Sequence, residues 1–109
     1  MEKLWKDIEG YETLYQISDD GEVMGVKRGK IMKPQANKNY GHYQVLLWKD
    51  AHAKLYYVHR LVAQAFVENP HGYRYVTHLD GDIKNNRAEN LAWVNKPIIY
   101  KRENKKKEC

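Results

Sequence analysis

Residues 76–94 read VTHLDGDIKNNRAENLAWV and place one histidine, two aspartates and three asparagines between two short apolar segments. Segments 73–79 and 91–94 are rich in branched and aromatic residues and predict two strands, whereas the DGDIKNN stretch between them predicts a polar loop. Directly afterwards, Asn95 can cap a final helix with Pro97 in its first turn. The order strand, loop, strand, helix predicts a ββα unit, whose polar loop is either a catalytic site or only a connection.

Upstream of this unit, the apolar residues follow a helical spacing. From residue 58 they recur three and four positions apart, at Val58, Leu61, Val62, Ala65 and Phe66. This period places them on one face of an α-helix, which ends before the Asn-Pro pair at 69–70. We expect this face to pack on a sheet, with Phe66 buried.

The N-terminal half carries short segments typical of antiparallel strands. Segments 14–18 and 22–26 flank the sequence DDG, in which Gly21 can adopt a positive φ, so they predict a hairpin. A second turn at RGK leads into a third short strand. Segments 42–48 and 54–58, separated by the polar KDAHA, predict a second hairpin. The sequence therefore predicts an α+β fold in which a small N-terminal antiparallel sheet and a helix precede the ββα unit.

Length and composition favour one cytoplasmic domain. A chain of 109 residues is the length of a single domain with a modest core. Its apolar runs are too short for a membrane span, and charged residues interrupt the N-terminal segment where a signal peptide would lie. The single cysteine, Cys109, excludes an internal disulfide and a cysteine-based metal site.

The charge distribution favours a nucleic-acid partner. The formal net charge is +5, and residues 101–108 hold five basic and two acidic side chains. A second basic group lies in the N-terminal third, near Tyr40 and Tyr43. Such clusters attract phosphates, although a lysine-rich end that only keeps the protein soluble explains the charge equally well. The candidate nucleic-acid-binding residues are Lys27, Arg28, Lys30, Lys101, Arg102, Lys105, Lys106 and Lys107.

Several ordered motifs cover most of the chain. VHRLVAQAF, NP, HLDGD, NN and ENLAWV follow one another with the spacing of the HNH (ββα-metal) nucleases of the phage and intron-encoded branch, which this sequence resembles. LWKDIEGYETLYQISDDGEV, followed by KRGKIMKP, GHYQVLLW and YYVHRLV, resembles the DNA-binding segment commonly fused ahead of that nuclease in homing endonucleases. The resemblance covers about residues 4–95. It implies a β-rich DNA-binding segment at 1–57, an HNH-like ββα module at 58–100 and a basic tail at 101–109.

The resemblance also implies a general base and its support. Phosphodiester cleavage requires the deprotonation of a water, and histidine suits that step because it is largely neutral at about pH 7. By resemblance, His78 is the base and Asn90 holds its imidazole from the opposite strand. Asp80 and Asn86 would brace the loop, because short polar side chains hydrogen-bond the nearby backbone of irregular turns.

A divalent metal, Mg²⁺ or Mn²⁺, is implied as well, and here the sequence departs from the family. Relatives carry aspartate or asparagine just before the base and asparagine or histidine in the final helix, where this chain has Thr77 and Ile99. A threonine hydroxyl is a weak neutral donor, and isoleucine cannot bind a cation. Glu103, one turn beyond Ile99, or Asn95, one turn before it, is the alternative ligand.

Two functions follow from these motifs. The first is a phage or mobile-element HNH endonuclease that nicks or cuts double-stranded DNA with a divalent metal, in the cytoplasm of the host cell. The second is a catalytically lapsed HNH-derived protein that occupies DNA or, with a protein partner, inhibits another nucleic-acid enzyme. The complete HLDGD, NN and EN motifs favour the first function, and Thr77 with Ile99 favours the second.

The remaining histidines and the tryptophans have structural interpretations. His59 begins the predicted helix and has core residues as its helical neighbours, so we expect it to anchor the helix by packing. We expect solvated turn positions for three histidines and core positions for three tryptophans: His42, His52 and His71, and Trp5, Trp48 and Trp93.

Overall fold

The computed structural model describes residues 3–96. Its first sheet has four antiparallel strands in sequential order: β1 (Trp5–Asp7), β2 (Tyr15–Ser18), β3 (Val23–Gly25) and β4 (Lys30–Met32). The predicted hairpin is confirmed, because β2 pairs with β3 through Ile17 and Val23, and Gly21 in the turn has a φ of +94°. Strand β1 was not predicted from the sequence.

A second antiparallel sheet follows, so the prediction of one N-terminal sheet is wrong. Its strands are β5 (Gln35–Ala36), β6 (Tyr43–Lys49) and β7 (His52–Tyr57). Pro34 lies between the two sheets, where a residue without an N–H interrupts a ladder. The β6–β7 turn is shorter than predicted, because Asp50 and Ala51 both have positive φ and close a tight hairpin.

The exposed face of this second sheet corrects one tryptophan prediction. In β6, Val45 and Leu47 are buried, whereas Leu46 and Trp48 alternate with them on the solvent face. Trp48 is 55% exposed and is therefore not a core residue. Trp5 and Trp93 are half-buried.

The single helix of the described region, α1 (Val58–Phe66), starts directly after β7. Its buried face carries Leu61 and Val62, which share one core with residues of both sheets, as the helical spacing predicted. Phe66 is only half-buried, and the Lys6 ammonium lies 5.0 Å from its ring centre. Phe66, which was expected to be buried, packs against the core but is only partly covered, because it occupies the last turn of the helix.

The ββ part of the predicted ββα unit is present. Strands β8 (Tyr75–His78) and β9 (Leu91–Val94) pair antiparallel, and the polar loop between them ends in a short 3₁₀ turn at Ala88–Asn90. Trp93 Nε1 donates to the Val67 carbonyl at 3.1 Å, which ties β9 to the end of α1. The final helix predicted from Asn95 lies outside the described residues. Within residues 3–96, no helix combines the length and apolarity needed to cross a membrane.

Candidate active site

His78 occupies the last position of β8, opposite Leu91 of β9. Its side chain is buried, with 3% exposure, and its Nε2 lies 2.8 Å from Asn86 Oδ1. An amide oxygen has only lone pairs, so the ring nitrogen that faces it must carry the proton. In the neutral ring, Nδ1 is then the nitrogen with the basic lone pair.

Asn86 and Asn90 each make the kind of contact that was expected of the other. Asn86, expected to brace the loop, is the amide on the His78 ring. Asn90, expected on that ring, instead donates to Asp80 Oδ1 and to the Asn85 carbonyl at 2.9 Å and accepts from the Asp80 N–H at 3.1 Å. The reason is position: Asn90 directly precedes β9 and faces the start of the loop, whereas Asn86 lies deep in the loop and turns inward.

Asp80 lies at the centre of the loop's hydrogen bonds. Its carboxylate accepts from Asn85 Nδ2, Asn90 Nδ2 and the Asp82 N–H at 2.8–2.9 Å. These donors, the Asn85 amide foremost, hold the pKa of Asp80 below its usual value. The carboxylate therefore stays charged and keeps the first half of the loop folded onto Asn90.

Two further histidines pack around His78, and sequence reasoning did not identify this cluster. Ring centres of His42, His59 and His78 lie 5.0–5.9 Å apart, so His42 is not a solvated turn residue. The packing role expected for His59 is confirmed, since the residue is only 8% exposed. Burial, followed by its neighbours His78, His42 and Arg60, lowers the pKa of His59 to about 3. His42 has a lowered pKa for the same reason, burial first and His78 second.

The predicted metal ligands are not assembled in the described part of the chain. Thr77 is half-buried on β8 and pairs with Ala92. Between residues 3 and 96, no three His, Cys, Asp or Glu side chains come together in a way that could hold a metal ion. Glu103 and Ile99 lie outside the described residues. The described side chains alone therefore do not form a complete metal site.

The N-terminal basic residues form an exposed surface. Lys27, Arg28 and Lys30 are exposed at the β3–β4 turn, where Gly29 has a φ of +62°. They line a recess of about 580 Å³ whose apolar walls include Trp48. The other candidate nucleic-acid-binding residues, Lys101, Arg102, Lys105, Lys106 and Lys107, lie outside the described residues.

Comparison with known proteins agrees with this arrangement. Residues 4–48 match the NUMOD4 motif, and residues 56–98 match the HNH endonuclease family. The chain therefore carries an HNH endonuclease domain with a NUMOD4 DNA-binding motif ahead of it, and the resemblance stated from the sequence is confirmed.

A particular phage enzyme is a homologue. DNA endonuclease I-HmuI of Bacillus phage SP01 is 45% identical over 94 residues, which cover 86% of this chain and 53% of I-HmuI. Its solved structure, described as DNA binding and cleavage by the HNH homing endonuclease I-HmuI, matches with a TM-score of 0.75 over 86% of this chain and 52% of that chain. An uncharacterised HNH endonuclease of Acanthamoeba polyphaga mimivirus is 40% identical over 91 residues, covering 84% of this chain and 27% of its own. The chain thus spans about half the length of I-HmuI and less of the mimivirus protein.

Proposed function

We propose that this protein is a DNA endonuclease of the phage HNH type that hydrolyses phosphodiester bonds in double-stranded DNA, with His78 as the general base. The observation that carries the proposal is the hydrogen bond between His78 Nε2 and Asn86 Oδ1, because it fixes the tautomer in which Nδ1 is basic. The homologous I-HmuI is described as a DNA-binding and DNA-cleaving enzyme, which supports the same reaction class.

The residues of this chain perform two parts of that reaction. His78 Nδ1 takes a proton from the attacking water, and the Asn86 amide keeps the ring orientation and stabilises the imidazolium that results. Asp80 and Asn90 lie at the two ends of the loop, and the hydrogen bonds between them hold the loop in place while this proton moves. A catalytic role of Asn90 is then indirect, since its side chain positions the loop.

HNH enzymes use a divalent metal, and when bound it would stabilise negative charge on the phosphate. Within the described residues, the Thr77 hydroxyl and the exposed Asn95 side chain stand at the positions considered for a ligand, and Glu103 remains the proposed second ligand. Whether Mg²⁺ or Mn²⁺ serves is decided by the cleavage assay below.

We infer that DNA also contacts the exposed β3–β4 turn. Lys27, Arg28 and Lys30 supply cations for the phosphates, and the exposed Trp48 supplies an aromatic surface beside them. The match of this region to the NUMOD4 motif supports that assignment. The basic tail at 101–109 is the second proposed contact with the DNA backbone.

A second function is a DNA-binding protein that no longer cleaves. Two observations favour it: Thr77 offers a neutral hydroxyl where relatives offer a stronger ligand, and the His78 side chain is 3% exposed, which restricts the approach of water. In that case the loop and its histidine are retained for structure, and a protein partner can complete the function.

A nicking assay on supercoiled plasmid separates the two functions. We expect nicking by the full chain in Mg²⁺ or Mn²⁺, none with chelator, and a fall of about 10²–10⁴-fold in His78→Ala, the usual effect of a positioned general base. Glu103→Ala should raise the metal concentration required.

The matched control is His52→Ala, since His52 is an exposed histidine of the β6–β7 hairpin. It should nick as fast as the natural sequence. DNA binding without cleavage of any duplex, unchanged by His78→Ala, would contradict the endonuclease proposal and support the binding protein.

A further inference from the structure

The turn between β2 and β3 belongs to the N-terminal sheet but contacts the loop that carries Asn86. The Ala88 N–H donates to the Asp19 carbonyl at 2.8 Å. A Cβ placed on Gly21 would lie 3.0 Å from Asn86 Cβ and 3.3 Å from the Asn86 carbonyl oxygen. Gly21 also has a φ of +94°, which favours glycine, and its lack of a side chain allows the close approach of Asn86.

This turn is itself held in one geometry. Ser18 is fully buried, and its Oγ accepts from the Glu22 N–H at 2.8 Å and donates to Asp20. Lys3 forms ion pairs with both Asp20 and Glu22. Burial would raise the pKa of Asp20, but the Ser18 and Lys3 contacts outweigh it and the pKa is lowered. The turn is therefore a fixed surface for the loop to rest on.

Asn86 lies between this surface and the His78 ring. It is 4% exposed, with its Cβ and carbonyl towards Gly21 and its amide oxygen on His78 Nε2. The hydrogen bonds of Asp80 and Asn90 hold the loop as far as Asn85, the residue before Asn86. The Asn86 amide is thus held by the Asp80–Asn90 network on one side and by the Asp19–Gly21 turn on the other.

We propose that the Asp19–Gly21 turn positions His78 through Asn86, and that Gly21 is a positioning residue for the cleavage reaction. The inference rests on the function proposed above, in which His78 is the base. It makes the NUMOD4-matching segment part of the active-site support, in addition to any contact that it makes with DNA.

The test compares Gly21→Ala with Gly10→Ala in the full chain. Gly10 has a similar φ of +86°, but a Cβ there meets nothing within 4 Å. Both variants therefore carry a comparable strain from positive φ, and only Gly21→Ala places a Cβ against Asn86. The direct readout is the ¹⁵N NMR spectrum of the His78 ring, in which Nε2 of the natural sequence should be the protonated nitrogen.

In Gly21→Ala we expect the His78 ring signals to shift towards a mixture of tautomers, and in Gly10→Ala we expect them unchanged. Cleavage at saturating DNA should fall in Gly21→Ala by up to about 10²-fold, the loss that a misplacement of about 1 Å can cause, with little change in KM. Gly10→Ala should keep its cleavage rate.

Unchanged His78 ring signals in Gly21→Ala would overturn the proposal. If the natural sequence cleaves no duplex, the proposed function fails, but the NMR comparison still decides the positioning role. If Gly21→Ala does not fold, Ala88→Pro replaces it, because proline removes the N–H that bonds Asp19 and is tolerated at the first position of the 3₁₀ turn. Unchanged ring signals in Ala88→Pro would then be the overturning result.

Discussion

The histidine cluster makes the stability of this protein depend on pH through His59. In the fold the pKa of His59 is about 3, whereas an unfolded chain has the ordinary value of about 6.5. The unfolded state therefore binds a proton below about pH 6.5 that the folded state does not accept. Stability is full above that pH and is lost progressively as the pH falls towards 3.

The size of this effect follows from the same two values. Between about pH 7 and about pH 5 the uptake of a proton by unfolded His59 should lower the free energy of unfolding by about 2 kcal/mol. His42, whose pKa is also lowered, adds to the decrease with the same sign. For a small domain of modest stability, 2 kcal/mol is about a fifth to a third of the total.

Urea unfolding at the two pH values measures the decrease in stability. In His59→Gln this decrease should be smaller than in the natural sequence by about 2 kcal/mol, because the titrating group is gone. His52→Gln is the matched control, since His52 is exposed and its replacement should leave the pH dependence unchanged. Equal pH dependence of the natural sequence and His59→Gln, or an NMR titration of His59 near 6.5, would refute the reasoning.

Two further predictions concern the DNA surface and the core. Replacing Lys27, Arg28 and Lys30 by glutamine should reduce the slope of log affinity against log salt by up to about 0.9 for each phosphate that these cations neutralise. Lys49→Gln is the control and should change the slope less, because the Lys49 ammonium already donates to the Gly10 carbonyl. An unchanged slope would remove the β3–β4 turn from the interface. Deleting residues 101–109 tests the tail separately in the same salt series. Phe66→Ala should cost less than the about 3–5 kcal/mol typical of a buried phenylalanine, by urea unfolding, and a decrease within that range would contradict its partial burial.

Regular elements were predictable where one physical signal dominated. The helical period from Val58 to Phe66 and the turn chemistry at Gly21 both indicated elements that the structure contains. The division into two N-terminal sheets was not predicted, because Pro34 marks an end of pairing without showing which strands pair on either side. Exposure of Trp48 was missed for a similar reason: alternation in β6 gives two faces, and only packing shows which one is buried.

The site was less predictable than the fold. Motif spacing placed His78 at the end of a strand beside two loop asparagines, but it did not show which amide meets the ring. That choice depends on the path of the loop, and the path depends on Asp80 at one end and on Gly21, far away in sequence, at the other. The clustering of His42 with His78 has the same origin, since it requires the residue before β6 to meet the last residue of β8.

These long-range contacts bear on how the motifs divide the chain. The core joins Ile17 and Leu47 of the two N-terminal sheets to Val62 of α1 and Leu91 of β9, so apolar residues on both sides of position 57 pack together. A segment such as 58–100 leaves the buried face of α1 without the sheets that cover it, and burial of apolar surface is the main term that stabilises a small domain. The boundary between the two motifs is therefore a boundary of sequence pattern and not of folding. Since the same N-terminal part also supplies the turn against Asn86, the geometry of the histidine site depends on the integrity of both segments.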